Sequence, residues 1–205
     1  MDNDELQEEQ VKKFIKEYGP WIVAGLVIGL GSMFTWRNYQ AAQDSAAQAK
    51  TSAYEQVLEQ LQNSDGLANT EFANTALTEF EGSSYAALTR MQLAAIAVND
   101  GDLDEAAQLL SMAIKETSRV ELQSLISLRL ARVEIARGEF ELAQKALANV
   151  ANDGFTALKK EVEGDLLFAQ GQLSAAKTAY AQAIGLSASG ANPFLQMKLD
   201  NLAAN

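Results

Sequence analysis

The longest apolar stretch of the chain runs from Trp21 to Trp36, sixteen residues without a charged side chain. An α-helix rises about 1.5 Å per residue, so this stretch covers about 24 Å of a hydrocarbon core that is about 30 Å thick. Tyr18 and Tyr39 lie outside the two tryptophans, and aromatic rings of this kind prefer the headgroup level of a bilayer as interfacial anchors. Residues 20–39 are therefore predicted to form a transmembrane helix.

A cleaved signal peptide and a buried helix of a soluble protein are the alternatives to a retained membrane anchor. A signal peptide has a basic N-terminal region and a small-residue cleavage site soon after its apolar core. Here the first twenty residues carry six acidic and three basic side chains, and Arg37 follows the apolar stretch directly. Pro20 suits the first turn of a helix, where its missing N–H has no partner, so the anchor helix is expected to start there. These features favour an anchor.

The flanking charges predict the orientation of this anchor. Three lysines precede it, whereas only Arg37 and Lys50 follow it closely. Lysine and arginine mark the cytoplasmic side, so residues 1–19 are predicted to be a cytoplasmic tail and the longer C-terminal part to lie outside the cytoplasm. Inside the anchor, Gly25 and Gly29 are four positions apart, which lets two helix backbones approach closely and predicts packing against another membrane helix.

Helix-forming residues continue after the anchor. Between Trp36 and Gly66 the chain has no glycine or proline and is rich in Ala, Gln and Glu, which are good helix formers. Residues 40–66 are predicted to form a helical stalk and the first soluble helix. Helical spacing predicts that four apolar residues of this helix pack on the soluble domain: Tyr54, Val57, Leu58 and Leu61. A helix at 69–80 is expected to follow, either as a degenerate fourth repeat or as an N-terminal cap.

Three later segments, residues 93–114, 130–151 and 163–185, align on a glycine, and successive glycines are 37 and 33 residues apart. A large apolar residue comes two positions after each glycine, an alanine three positions later, and a bulky residue four positions after the alanine. These positions are Gly101, Leu103, Ala106 and Leu110; Gly138, Phe140, Ala143 and Leu147; and Gly171, Leu173, Ala176 and Tyr180. The pattern resembles the tetratricopeptide repeat, two antiparallel helices that turn at the glycine and cross closely at the alanines.

Units of this kind cannot bury their apolar faces alone, so they stack into a curved solenoid. The resemblance is strongest at the turn and in the second helix of each unit, whereas the early aromatic residue and the proline after each repeat are missing. A small residue is kept in each first helix: Ala94, Ala131 and Gly164. The predicted fold is all-α, with a single N-terminal transmembrane helix followed by a tetratricopeptide-like α-solenoid of helical hairpins at 67–205. A helix near 193–203 is expected to cap it.

Composition narrows the functional classes. The 205 residues include no cysteine and no histidine, and the net charge is −11. Without histidine the chain lacks the commonest general base and metal ligand, and without cysteine it has neither disulfides nor thiolate sites. We therefore predict no enzyme activity, no cofactor and no metal site, and the acidic charge disfavours nucleic acid. The acidic run at 100–105 lacks the glycine and the distal glutamate of a calcium loop, so we interpret it as a helix N-terminus.

The functional surface of this repeat class is the concave face formed by the first helices. Carried over position by position, the resemblance places on that face Leu88, Met91, Val98, Leu125, Leu128, Arg132, Ile135, Leu158, Glu161, Asp165 and Phe168. Such a mostly apolar groove suits an extended or helical peptide with apolar anchors. The sequence leaves open whether the groove is empty or is filled by the chain's own helix at 54–61 or by its C-terminal helix.

Anchor, stalk and acidic repeat domain together resemble the YfgM family, the ancillary subunits of the SecYEG translocon in Gram-negative inner membranes. The glycine-rich anchor and the segments at 85–94, 127–136 and 196–203 carry this resemblance. It implies a single-pass protein of the cell inner membrane with a cytoplasmic N-terminus and a periplasmic C-terminal domain. The implied partners are the SecYEG translocon, a PpiD-type membrane-anchored chaperone and unfolded exported proteins, which the family helps transfer to periplasmic chaperones. Restraint of the Rcs stress regulator is a further implied role. The alternative is a purely regulatory or scaffolding envelope protein that binds no translocating clients.

Overall fold

The computed structural model describes residues 2–63, 67–151, 153–187 and 193–203, and every regular element in these ranges is helical. The helices are α1 (Asp2–Asn63), α2 (Leu67–Glu79), α3 (Ser84–Asn99), α4 (Leu103–Lys115), α5 (Val120–Arg137), α6 (Phe140–Ala148), α7 (Thr156–Ala169), α8 (Leu173–Leu186) and α9 (Pro193–Ala203). One turn of 3-10 helix, Asp153–Phe155, precedes α7. The chain divides into two compact units, Met1–Thr51 and Ser52–Asn205. The predicted all-α fold class is confirmed.

In the first unit, α1 exposes its apolar stretch. Within the described residues one helix segment, Tyr18–Leu61, is long and apolar enough to cross a membrane, and its most apolar part is unburied. The large apolar side chains between Leu26 and Phe34 are 58 to 71 % exposed. The hydroxyls of Ser32 and Thr35 donate to helix carbonyls three and four residues back, at 2.9 and 2.7 Å. These two hydroxyls are thus satisfied without water, as lipid requires.

The start of α1 differs from the prediction. The helix begins at Asp2, so the expectation that Pro20 occupies a first helical turn is wrong, because Pro20 lies inside the helix. Residues 2–17 are rich in Glu, Gln and Lys, which have high helix propensity, and they extend the helix on the N-terminal side. Pro20 has no N–H to donate to the carbonyl of Lys16, one turn earlier.

Three hairpins, α3/α4, α5/α6 and α7/α8, form the solenoid of the second unit. Their turns lie at Gly101, Gly138 and Gly171, with φ between 76° and 82°, a left-handed conformation that glycine adopts without steric cost. In each turn the glycine N–H donates three residues back and the next N–H donates five residues back, at 2.8 to 3.1 Å. The three turns are therefore the same Schellman motif, and they lie at the glycines where the repeat alignment predicted a turn.

Small residues lie where the helices of each hairpin cross. Ala106, Ala143 and Ala176 in the second helices are fully buried. In the third hairpin the facing residue is Gly164, and a Cβ atom added there would overlap the ring of Tyr180. The aligned pairs of the first two hairpins are Ala94 with Leu110 and Ala131 with Leu147. The third hairpin thus pairs Gly164, which is smaller than alanine, with Tyr180, which is larger than leucine.

Additional layers cover both ends of the solenoid. At the N-terminal end, Val57 and Leu61 of α1 share a buried cluster with α2 and the start of α3. The rings of Tyr54, Phe80 and Tyr85 join this cluster, with centroids 5.5 to 6.5 Å apart. At the C-terminal end, Leu195, Leu199 and Leu202 of α9 pack with Ala176, Tyr180 and Ala183 of α8. The central core runs continuously through α3 to α7.

Candidate functional site

A cleft of about 260 Å³, the α3–α5 cleft, lies between the first helices of the first two hairpins. Its buried floor is formed by Met91, Ala94, Leu110 and Val133. Ala95, Val98 and Asn99 of α3 form one side, and Arg129 and Arg132 of α5 form the other. The cleft therefore combines an apolar floor with a rim that carries two positive charges.

One wall of this cleft contains a residue that is smaller than its equivalents in the other hairpins. Ala95, Arg132 and Asp165 occupy the same position relative to the three turn glycines. The methyl group of Ala95 leaves space between α3 and α5, where the longer side chains of the other two hairpins extend from the helix. The wall of the α3–α5 cleft thus has a small residue at a position that is charged in the other two hairpins.

The structure places the eleven predicted groove residues in different environments. Met91, Val98 and Arg132 come together in the α3–α5 cleft. Three leucine and isoleucine side chains are half-buried and pack against the central core: Leu88, Leu125 and Ile135. Leu158 and Phe168 are exposed on α7.

The prediction that Leu128 lines the groove is wrong. Leu128 is 1 % exposed and belongs to the central core, so its side chain presents no surface to a ligand. The physical reason is that α4 and α6 also pack on α5, which buries a wider stripe than the pattern of one helix indicates. Glu161 is likewise buried, at 7 % exposure, and it contacts charged side chains instead of solvent.

A second cleft of about 280 Å³, the α7–α9 cleft, lies between the last repeat and the C-terminal helix. Its lining residues are Asp165, Phe168, Tyr180, Lys198, Asn201 and Leu202. Phe168 and Tyr180 are the repeat equivalents of Val98 and Leu110 in the α3–α5 cleft. The two clefts thus occupy equivalent positions in the repeat. They differ at the position of Ala95, where the α7–α9 cleft has Asp165.

Lys198 of α9 occupies the charged end of the second cleft. Its ammonium group donates to Asp165 at 2.7 and 3.0 Å and to Glu161 Oε1 at 3.0 Å. The hydroxyl of Tyr180 donates to Asp165 at 2.8 Å, and the guanidinium of Arg132 lies 3.7 Å from Glu161. Two carboxylates, two cations and a phenol therefore connect α5, α7, α8 and α9.

This network satisfies charges that burial would otherwise make costly. A buried carboxylate requires charged or hydrogen-bonding partners, and Glu161 has Lys198 and, at longer distance, Arg132. Burial, and then the hydrogen bond to Asp165, raises the pKa of Tyr180 above its ordinary value of 10.0. Tyr180 therefore stays neutral throughout the physiological pH range, and its hydroxyl donates a hydrogen bond to Asp165.

The two helices that could fill the groove, the segment at 54–61 and the C-terminal helix, contribute differently to the two clefts. The segment Tyr54–Leu61 packs with α2 and with Ala86 and Leu93 of α3, and among the described residues it lines neither cleft. The C-terminal helix α9 does line the α7–α9 cleft, through Lys198 and Leu202. The chain's own last helix thus forms one wall of the cleft beside the third repeat, whereas the α3–α5 cleft is lined by residues of the first two hairpins.

Sequence reasoning did not assign Ala95, Arg129 and Lys198 to the groove. Ala95 could have been found, because it is the repeat equivalent of Arg132 and Asp165. Arg129 precedes Arg132 by three residues and therefore lies on the same helical face. The pattern of α9 gives no signal for Lys198, because its partners are 33 and 37 residues away in sequence.

The acidic run at the first turn has a structural role, as predicted. Asp102 is the N-cap of α4 and accepts a hydrogen bond from the backbone N–H of Glu105 at 2.9 Å. Asp104 pairs with Arg137 of α5 at 2.6 Å. Within the described residues no group of three or more acidic side chains has the arrangement of a metal site.

The predicted membrane residues are all exposed in the first unit. Tyr18, Trp21, Trp36 and Tyr39 are the interfacial anchors expected from the sequence, and each presents most or about half of its surface. Gly25 and Gly29 have open space around them, since a Cβ atom added at either would meet nothing within 4 Å. A close helix partner at this pair remains a prediction.

Comparisons with known proteins support the repeat architecture. Residues 12–204 match the family model described as a tetratricopeptide repeat-like domain. Three similar relatives, each named ancillary SecYEG translocon subunit, come from Escherichia coli K12, Aggregatibacter actinomycetemcomitans and Haemophilus influenzae. They are 28, 30 and 26 % identical, over 98, 96 and 97 % of this chain and 98, 98 and 97 % of their own lengths. No solved structure matches the chain significantly.

Proposed function

The chain belongs to the tetratricopeptide repeat-like family that includes the ancillary SecYEG translocon subunits, as its sequence predicted, and from this premise we propose that it is a membrane-tethered periplasmic protein-binding module of the Sec translocon. Its role is to receive emerging proteins and help transfer them to periplasmic chaperones. The names of the relatives denote a translocon subunit and no enzyme, so the proposal contains no catalytic step.

The open α3–α5 cleft is the observation that carries this proposal. It offers an apolar floor and a polar rim, which are the features that bind a peptide through one or two anchoring side chains. Unfolded chains that leave a translocon expose such apolar side chains. A cleft of this size holds few of them, so it suits brief and weak contacts.

The exposed apolar helix of the first unit supplies the second part of the argument. A membrane anchor confines the binding domain near its partners, and tethering raises the effective concentration into the millimolar range for short linkers. Weak contacts in the cleft then suffice for function. The PpiD-type chaperone and the Rcs regulator are proposed partners by family resemblance.

Photo-crosslinking in native membranes tests the proposal. A photoreactive amino acid at Val98, which lines the cleft, is compared with one at Leu142 of α6, since both side chains are 41 % exposed. We expect adducts with translocating chains from Val98 and not from Leu142, and adducts with translocon subunits from Gly29 in the anchor. A purely regulatory protein would give no adduct with translocating chains from Val98, and this result would refute the proposed role.

Topology is tested separately by protease accessibility. In intact spheroplasts, protease added outside is expected to digest the repeat domain and to spare the tail at 1–19. Protection of the repeat domain until lysis would place it in the cytoplasm and would exclude any contact with exported proteins.

A further inference from the structure

The rim of the α3–α5 cleft is positively charged in a chain that is strongly acidic overall. The 205 residues have a net charge of −11, yet the two ionisable side chains that line this cleft are Arg129 and Arg132. They are one helical turn apart on α5 and flank the apolar floor from the same side. A ligand that enters the cleft therefore meets a local charge opposite to that of the whole protein.

Neither arginine forms a close ion pair with another of the described residues. Arg132 lies 3.7 Å from Glu161, its side chain is 44 % exposed, and Lys198 holds the same carboxylate oxygen more closely, at 3.0 Å. Arg129 is exposed, and within the described part of the chain it pairs with no carboxylate. Both guanidinium groups are thus available to an external carboxylate, which they can bind in a bidentate manner.

The floor of the cleft sets the size of the apolar group that fits beside this charge. An apolar cavity of about 150 Å³ accommodates a benzene ring. The α3–α5 cleft is larger, about 260 Å³, and Met91, Ala95 and Val98 give it apolar walls. A phenylalanine or leucine side chain therefore fits between α3 and α5.

The α7–α9 cleft shows the same chemistry with an internal ligand. There a helix outside the three hairpins, α9, brings Lys198 to Asp165 and places Leu202 against the floor. One apolar and one charged side chain, four residues apart on one helix, thus line the cleft of the third repeat. In the α3–α5 cleft the fixed charge has the opposite sign, so the matching ligand carries a carboxylate.

We propose that the α3–α5 cleft selects protein segments in which a large apolar side chain lies within one helical turn of a carboxylate. The apolar side chain enters between Ala95 and Val98, and the carboxylate pairs with Arg129 and Arg132. The inference rests on the proposed function, since it names the chemistry of the partner at the same site.

The test uses the full-length protein in detergent and a set of short fluorescein-labelled helical peptides, measured by fluorescence anisotropy. The peptides carry one Phe and, four residues away, Glu, Gln or Lys; a fourth has Ala in place of Phe. We expect the Glu peptide to bind about fivefold more tightly than the Gln peptide, the upper range for exposed ion pairs, and the Lys peptide to bind most weakly of these three. High salt should reduce the preference for Glu.

Variants of the protein test whether the α3–α5 cleft is the site that binds these peptides. The double variant Arg129→Gln/Arg132→Gln is expected to bind the Glu and Gln peptides equally. The matched control, Arg119→Gln/Lys145→Gln, removes the same charge from exposed positions outside the cleft and should keep the preference. Ala95→Leu fills an exposed position of the cleft wall and should weaken every Phe peptide. Circular dichroism spectra and unfolding midpoints equal to those of the parent protein show that the variants fold.

The outcomes separate this inference from the proposed function. Equal binding of the Glu, Gln and Lys peptides would overturn the inference, even where Val98 still crosslinks to translocating chains. An equal loss of preference in the control variant would also overturn it, because net charge and not the cleft would then explain the selectivity. A preserved Glu preference without any adduct to translocating chains would support the inference and refute the translocon role.

Discussion

Gly164 of α7 gives the sharpest test of the packing described above. Helix propensity alone predicts that Gly164→Ala stabilises the protein, because alanine is favoured over glycine in a helix by about 1 kcal/mol. The structure predicts the opposite sign. A Cβ atom at this position would overlap the Cδ1 and Cε1 atoms on one edge of the Tyr180 ring.

The magnitude follows from how Tyr180 is held. Its ring is buried, and its hydroxyl is fixed to Asp165 at 2.8 Å, so the ring cannot move aside without losing this hydrogen bond. Overpacking of a core costs about 1–3 kcal/mol, and a hydrogen bond to a charged group contributes about 1.5–3 kcal/mol. After the gain in helix propensity, and because the ring gives up only part of the bond, we expect a net destabilisation of about 1–3 kcal/mol.

Thermal and urea unfolding followed by far-ultraviolet circular dichroism measure this change. For a domain of this size, the expected loss lowers the midpoint by about 3–10 °C. The matched control is Gly185→Ala in α8, where an added Cβ atom meets nothing within 4 Å, and this variant should be neutral or slightly stabilised. Two glycine-to-alanine changes in helices of the same hairpin are therefore predicted to have opposite effects.

A double-mutant cycle identifies the cause. In the Tyr180→Leu background, Gly164→Ala recreates the alanine–leucine pair of the first two hairpins, so the substitution should no longer destabilise the protein. The reasoning is refuted if Gly164→Ala is stabilising in the parent protein. It is also refuted if its cost is the same in the Tyr180→Leu background, since the ring of Tyr180 would then not be the obstacle.

Three further predictions concern the charged and capping groups. Because the folded state raises the pKa of Tyr180 above 10.0, its contribution to the free energy of unfolding is complete below about pH 10 and is lost as the pH rises towards the folded-state value. Tyr180→Phe should reduce this loss of stability in urea titrations at alkaline pH. Part of the loss should persist in the variant, because burial also raises the pKa of Tyr54. Lys198→Met leaves the buried Glu161 with one distant cation. We therefore expect the free energy of unfolding in urea to fall by about 2 kcal/mol and hydrogen exchange in α9 to become faster. Unchanged exchange would show that Lys198 does not hold α9 in place. Asp102→Ala removes the N-cap of α4 and should cost about 1 kcal/mol, whereas Asp102→Asn should retain most of the stability, and equal losses in both would argue against capping.

Local patterns predicted the repeat fold because its signals are local. Each turn requires a residue with positive φ, and Gly101 supplies it just before the N-cap of α4. The close crossing of two helices requires small side chains at fixed distances from that turn, and the sequence displays them as Ala106 and Ala94. The anchor could be predicted for the same reason, because length, apolarity and flanking aromatic residues are properties of a single helix.

The groove could be predicted only in part. The repeat pattern indicates which face of a first helix points away from its own partner, and in the structure three residues of that face, Met91, Val98 and Arg132, line one cleft. It does not indicate how many other helices pack on that face. Leu128 and Glu161 occupy equivalent positions with very different side chains, yet both are buried because neighbouring helices cover them.

The sequence by itself determined that this protein is an exposed apolar helix followed by stacked helical hairpins, since turns, helix periodicity and small-residue spacing are set by neighbours in the chain. Only the tertiary structure decided which residues line each cleft. Lys198 reaches Asp165 across 33 residues of sequence and occupies the charged end of one cleft, whereas the small side chain of Ala95 lies in the wall of the other. Such contacts depend on how far apart the helices lie, and that distance is fixed by the packing of the whole domain.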